Sequence, residues 1–148
     1  MSSIIRFAEI RDIPALLVLQ HKIHRELELE KFYPFVNEDF FETMELLINL
    51  KQAVVAEHEG EVVGCVGFSL QPCAFNKNII TATEIGWSAS EKMTARESIQ
   101  MYEAVVKEAK RRGANFMKGC APVQVKKLGT YYKRKKYTEL ETNYLLEL

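Results

Sequence analysis

Between Ala53 and Ser88 three strand-length apolar runs follow one another with little room between them, and the run after them changes period. Ala53–His58 (AVVAEH) and Glu61–Leu70 (EVVGCVGFSL) are separated only by Glu59-Gly60, a pair suited to a hairpin turn. Ile79–Ser88 (IITATEIGWS) alternates as a further strand does. From about Thr94 to Arg112 the residues Ile99, Tyr102, Val105, Val106 and Ala109 recur at helical spacing, and Gly113 supplies a stop. A short strand over Asn115–Ala121 (NFMKGCA) follows. Antiparallel strands feeding a strand–helix–strand crossover require a mixed sheet with helices packed on it.

The flanking residues extend this frame. Ile4–Ile10 (IIRFAEI) reads as a strand. Asp12 stands as an N-cap with Pro14 in the first turn, and Ile13, Leu16, Leu17, Ile23 and Leu27 carry a helix to about Glu30. Asn37 reads as the next N-cap, followed by Glu38 and Asp39. Phe40, Phe41, Met44, Leu47 and Ile48 then form one apolar face to about Leu50. Val123–Lys135 is expected to be a short helix and Tyr137–Leu148 (YTELETNYLLEL) a last strand. The expected order is β-α-α-β-β-β-α-β-α-β in a single domain, 1–148, whose 47% of hydrophobic residues can fill a core.

Charge and cysteines exclude several classes. Twenty basic and twenty acidic residues balance, which argues against a nucleic-acid partner. The distribution is uneven. Lys107–Lys136 holds eleven Lys or Arg and one acid, whereas Glu26–Glu61 holds ten acids and two bases. Both blocks suit solvated faces, and the basic one also suits the mouth of an anion site. No stretch reaches the length of a membrane span. Cys65, Cys73 and Cys120 have no metal spacing, and an odd count without a signal peptide fits a reduced, cytoplasmic setting. His21, His24 and Glu28 lie at helical spacing but have no further ligand cluster, so no metal site is assigned.

The element order and two C-terminal motifs resemble the GNAT family of acyl-CoA-dependent N-acyltransferases along essentially the whole chain. Ala109-Lys110-Arg111-Arg112-Gly113-Ala114 is similar to the family's A-K-x-x-G-A, and Leu128, Tyr132 and Tyr137 match its L-x-x-x-Y-x-x-x-G-F/Y. Lys136 stands where that second pattern has glycine. The resemblance implies an α/β fold with a mixed, mostly antiparallel sheet flanked by helices. It further implies acetyl-CoA as cosubstrate and an amine, on a small molecule or a protein, as acceptor. In the family the cosubstrate lies where the fourth and fifth strands splay apart, with its pyrophosphate on the helix start that follows.

Carried over residue by residue, the resemblance makes Glu84 the candidate base and Tyr132 the candidate acid toward the leaving thiolate. Read without it, Glu84 is a surface carboxylate and Tyr132 an aromatic packed under the last helix, with Tyr131 as a competitor. Trp87, Ser88 and Ala89 are candidates for backbone contact with the pantetheine arm. The phosphate pattern Q/R-x-x-G-x-G/A falls on Met93-Thr94-Ala95-Arg96-Glu97-Ser98, where Arg96 and Ser98 replace both glycines. The same residues fit a capping box, T-x-x-E, in which Thr94 and Glu97 satisfy each other's amides and leave fewer donors for phosphate. Lys92 and Arg96 offer side-chain contacts instead, and Ser90 is an alternative N-cap. The rival expectation is a catalytically inactive GNAT-fold binding or structural module, of the kind found among small family members, including in phages. A homodimer or an assembly partner stays open.

Overall fold

The computed structural model describes residues 3–122 and 125–148. Its elements in chain order are β1 (Ile4–Phe7), α1 (Ile13–Glu26), α2 (Asn37–Asn49), β2 (Ala53–His58), β3 (Glu61–Cys73), β4 (Asn76–Ala89), α3 (Ala95–Arg111), β5 (Phe116–Lys118) and α4 (Lys126–Arg134). The strands form one sheet in sequence order. Neighbours are antiparallel except β4 and β5, which α3 connects as a parallel pair. The fold is α/β with a mixed, mostly antiparallel sheet.

The sheet is covered on both faces, and the side-chain alternation of β2 shows how. Val54 and Ala56 join Phe68, Ala82, Met101, Tyr102, Val105 and Tyr132 on the face under α3 and α4. Ala53 and Val55 join Leu16, Leu19, Met44 and Leu47 on the face under α1 and α2. A strand buried on both sides reads as an unbroken apolar run, which is why AVVA lacks polar interruptions. Along α3 the buried residues are Met101, Tyr102, Val105 and Ala109, close to the expected stripe.

Several boundaries differ from the sequence expectations. β3 and β4 extend to a tight turn at Ala74-Phe75, which the sequence reading missed. Asp12 precedes α1 but makes no side-chain cap there. Its carboxylate instead accepts from the Glu9 amide (2.7 Å) and from Arg6 (2.8 Å), which also grips Glu57. Val36, not Asn37, is the N-cap of α2, because Asn37 is already helical and turns its Oδ1 to His21 (2.8 Å). α1 ends at Glu26, and a short 3-10 turn, Leu29–Lys31, takes up the rest of the expected helix. The expected strand over 115–121 keeps only Phe116–Lys118 in the sheet. Of the expected helix over 123–135 the structure forms Lys126–Arg134, and Val123 and Gln124 lie outside the described residues.

The largest correction concerns Tyr137–Leu148. Residues 138–148 form no helix or strand and are exposed throughout. A strand pattern yields a strand only where an edge accepts its backbone, and this segment has no such partner among the described residues.

α3 and α4 end alike, with one difference. After α3, Gly113 takes a left-handed conformation (φ +89°), and Ala114 donates back to the Ala109 carbonyl (3.0 Å). After α4, Lys136 takes that position (φ +64°), and Tyr137 donates to the Tyr132 carbonyl (3.0 Å). A lysine there carries steric strain that glycine does not. Lys136→Gly is therefore expected to stabilise the fold by about 0.5–1 kcal/mol, read as a higher denaturant midpoint with an unchanged slope.

Candidate active site

The site begins with an irregularity in β4. Gly67 pairs with Ile85 and Cys65 with Ser88, so β4 spends one residue more than β3 between these pairs. This is a β-bulge, and Gly86 (φ +61°) supplies its left-handed turn. The extra residue reverses the alternation beyond it. Glu84 lies opposite Phe68, on the α3–α4 face. Without the bulge Ser88 would share that face and Trp87 would not. With it, Trp87 stacks on Tyr102 (4.4 Å between rings, 16° between planes) and meets Tyr131 edge-on (6.0 Å). Ser88 turns to α1, where Gln20 donates to its Oγ (3.1 Å).

Just before the bulge, β4 loses its outer partner. It pairs with β5 only from Thr81–Phe116 to Thr83–Lys118. Beyond Thr83 the two strands part, and Glu84 sits at the point of divergence. Its Oε2 accepts from the Cys120 amide (3.0 Å) on one side and from the Tyr132 hydroxyl (2.9 Å) above. Tyr132 reaches this position because residue 119 is glycine: a Cβ there would lie 2.4 Å from the tyrosine ring. Two residues 48 apart in sequence thus share one hydrogen bond.

Burial sets the protonation of this pair. Glu84 is 8% exposed. Desolvation raises its pKa above the ordinary carboxylate range, against the bonds from the Cys120 amide, the Tyr132 hydroxyl and the Trp87 amide that favour the charged form. Tyr132 is also raised, first by burial and then by the charge of Glu84, so its hydroxyl keeps its proton. The arrangement is a poised acceptor beside a donor that stays protonated.

The start of α3 is organised differently. Thr94 and Glu97 form the capping box that the T-x-x-E spacing predicts. The Glu97 amide donates to Thr94 Oγ1 (3.2 Å), and Glu97 Oε2 accepts from the Thr94 amide (2.9 Å) and hydroxyl (2.8 Å). Ser3 completes the lock, since its amide (2.9 Å) and hydroxyl (3.0 Å) both donate to Glu97 Oε1. Led by the Thr94 amide, these donors lower the Glu97 carboxyl to about 2. Among the described residues the amides of Ala95 and Arg96 have no acceptor and the Arg96 side chain has no ion pair. An anion thus meets two open amides and one free guanidinium there, beside a carboxylate whose lone pairs are taken.

The remaining candidates divide. Ser98 accepts from the Trp87 indole N–H (3.1 Å), which ties the end of β4 to α3. Lys92 pairs with Glu61. Ser90 is not the cap: its amide donates to the Val63 carbonyl (2.8 Å). Ala89 closes the β3–β4 ladder opposite Gly64. His21 and His24 go to the loop between α1 and α2, His24 bonding the Tyr33 carbonyl (3.1 Å). The sequence reading missed Gly86, Gly119, the Cys120 amide and Ser3. The two glycines were visible signals, because isolated glycines in strand patterns mark bulges and close approaches. The Ser3 contact had no signal.

No protein-family model matches the chain, and no curated protein matches it. Solved structures do. A ribosomal-protein-alanine N-acetyltransferase from Brucella melitensis is similar at TM-score 0.74 and 15% identity, over 99% of both chains. A predicted acetyltransferase with acetyl-CoA from Clostridium acetobutylicum is similar at TM-score 0.71 and 18% identity, over 99% of this chain and 95% of that one. An aminoglycoside N-acetyltransferase in complex with CoA is similar at TM-score 0.74 and 13% identity, over 100% of this chain and 97% of that one. The chain has the GNAT acetyltransferase fold. Among the described residues no helix is long and apolar enough to cross a membrane.

The raised pKa of Glu84 has a consequence for stability. The folded state holds this proton more tightly than the unfolded chain, so its contribution is full below the unfolded carboxylate pKa and is lost as pH rises through the folded value. Glu84→Gln keeps an acceptor for Cys120 and Tyr132 without the buried charge. The variant is expected to melt higher than the parent at alkaline pH, with the gap closing toward acid, as followed by circular dichroism across a pH series.

Proposed function

We propose that the protein is an acyl-CoA-dependent N-acyltransferase that moves an acetyl group to an amine. The observation that carries this reading is the meeting of Glu84 and Tyr132 where β4 and β5 part. On the side away from β3, β4 from Glu84 to Ala89 has no strand partner among the described residues, so its backbone there can pair with an extended amide-bearing arm. The open amides of Ala95 and Arg96, with the Arg96 side chain, are the donors available to the pyrophosphate. Lys92 would add a second cation on release from Glu61.

The chemistry follows from the pair. The amine nitrogen attacks the thioester carbonyl, and Glu84 takes the proton it sheds. The C–S bond breaks, and the Tyr132 hydroxyl gives its proton to the sulfur. Glu84 then returns a proton to Tyr132 along their 2.9 Å hydrogen bond, which restores both groups. The acceptor amine belongs to a molecule that binds as a cation and reacts as the neutral free base, since acidic residues crowd the α1–α2 region from Glu26 to Glu45. Gln20 of α1 donates to the bulge at the Gly86 carbonyl (3.2 Å).

A second reading is favoured by the Ser3–Thr94–Glu97 lock. A helix start that satisfies its own donors suits a GNAT-fold binding or structural module without catalysis. Calorimetry separates the two. Acetyl-CoA is expected to bind, and Glu84→Gln and Tyr132→Phe are each expected to lower the transfer rate about a hundredfold or more with the fold intact. No heat at millimolar acetyl-CoA would leave the second reading. Glu97→Ala, which removes the carboxylate beside the open amides, is expected to tighten acetyl-CoA binding several-fold while lowering the melting temperature through loss of the cap.

A further inference from the structure

The outer side of α2 is not that of a helix facing only water. Its inner residues Met44, Leu47 and Ile48 are buried in the core. Two further rows run along its outside at i, i+4 spacing, Glu38–Glu42–Leu46 and Phe41–Glu45–Asn49. Both rows mix acids with large apolar residues: Phe41 is 45% exposed and Leu46 58%. A solvated helix face is polar, and apolar residues gathered in water mark a surface that something covers.

Beside these rows lies a groove. A cavity of about 410 Å³ opens between the two helices, walled by Ile13 and Leu17 of α1 and by Phe40 and Phe41 of α2. Glu38 and Glu42 line it too, and both are exposed. α2 carries Glu38, Asp39, Glu42 and Glu45 and no base. None of these acids takes part in an ion pair among the described residues. Glu38 and Asp39 suit the positive end of the helix dipole. Glu42 and Glu45 lie beyond the first turn, where the dipole gives no reason for them.

Charge selects what can cover this surface. Nucleic acid and anionic membranes are repelled. The same face of a second copy would set acid against acid. A polypeptide whose Lys or Arg residues flank apolar side chains is attracted, and its cations meet unpaired carboxylates. A groove between two helices takes the apolar stripe of a third. We propose that the α1–α2 groove docks a basic amphipathic helix of a partner protein. The partner's apolar residues fill the cavity between Leu17 and Phe41, and its Lys or Arg side chains pair with Glu42 and Glu45. The groove shares no lining residue with the cluster of Glu84, Cys120 and Tyr132, so the inference stands apart from acyl transfer.

The test titrates the full chain into a labelled synthetic helix of leucine and lysine, patterned at helical spacing, and reads fluorescence anisotropy. Saturable micromolar binding is expected. A peptide of the same composition with its pattern scrambled, and a leucine–glutamate helix, are each expected to bind about tenfold more weakly or worse. Glu42→Lys/Glu45→Lys and, separately, Phe41→Ala are each expected to weaken binding about tenfold or more, with melting unchanged in the charge variant. Equal binding of the scrambled peptide reduces the contact to bulk charge and overturns the proposal. No binding, or binding that survives either variant, overturns it as well. Sedimentation of the chain alone and flotation with phosphatidylcholine vesicles address the other occupants. Self-association or vesicle binding that Phe41→Ala abolishes would put a second copy or a lipid surface on the groove, and overturns the proposal too.

Discussion

The site rests on the brevity of one contact. β4 and β5 share only the pairs from Thr81–Phe116 to Thr83–Lys118. A parallel pair that continued would leave no room between the strands, and Glu84 would face a neighbouring strand instead of a gap. Because the strands part, the Cys120 amide is released from ladder bonding and turns to the Glu84 carboxylate. The same parting admits Tyr132, whose ring lies against Gly119 and whose hydroxyl closes the cluster. Position, burial and protonation of the candidate pair all descend from that divergence.

Two carboxylates near the end of β4 show how environment divides roles. Glu84 is buried, and desolvation raises its pKa above the ordinary carboxylate range. Glu97 is exposed and surrounded by donors from Thr94 and Ser3, which hold it ionised down to about pH 2. The first takes up a proton more readily than a solvated carboxylate. The second is locked as an anion and does structural duty at the helix start, where it complements the dipole. That duty competes with anion binding, because a cap and a phosphate seek the same amides. The chain keeps two amides and Arg96 outside the lock, so the competition is partial.

Much of the architecture could be read from residue order. The double-sided burial of AVVA, the α3 stripe and the Thr94–Glu97 box depend on neighbours within a few residues. Glu84 and Tyr132 came from likeness to family motifs, and their meeting is a matter of geometry. The bulge escaped the reading because a count of two residues against one belongs to a pair of strands. The Ser3–Glu97 contact escaped because its partners are 94 positions apart. The strand pattern of 137–148 was real, but a strand also requires an edge, and periodicity says nothing of edges.

By itself, the sequence determined the order of helices and strands from β1 to α4, the apolar stripe of α3, and that the α3 start would cap itself. Each follows from short-range sterics and local hydrogen bonding. Only the tertiary structure decided that Trp87 and Glu84 share a face, that a hydroxyl from α4 meets a carboxylate from β4, and that 138–148 joins no strand of its own sheet. These outcomes depend on register and on the path of distant backbone, which long-range packing sets and local chemistry leaves open.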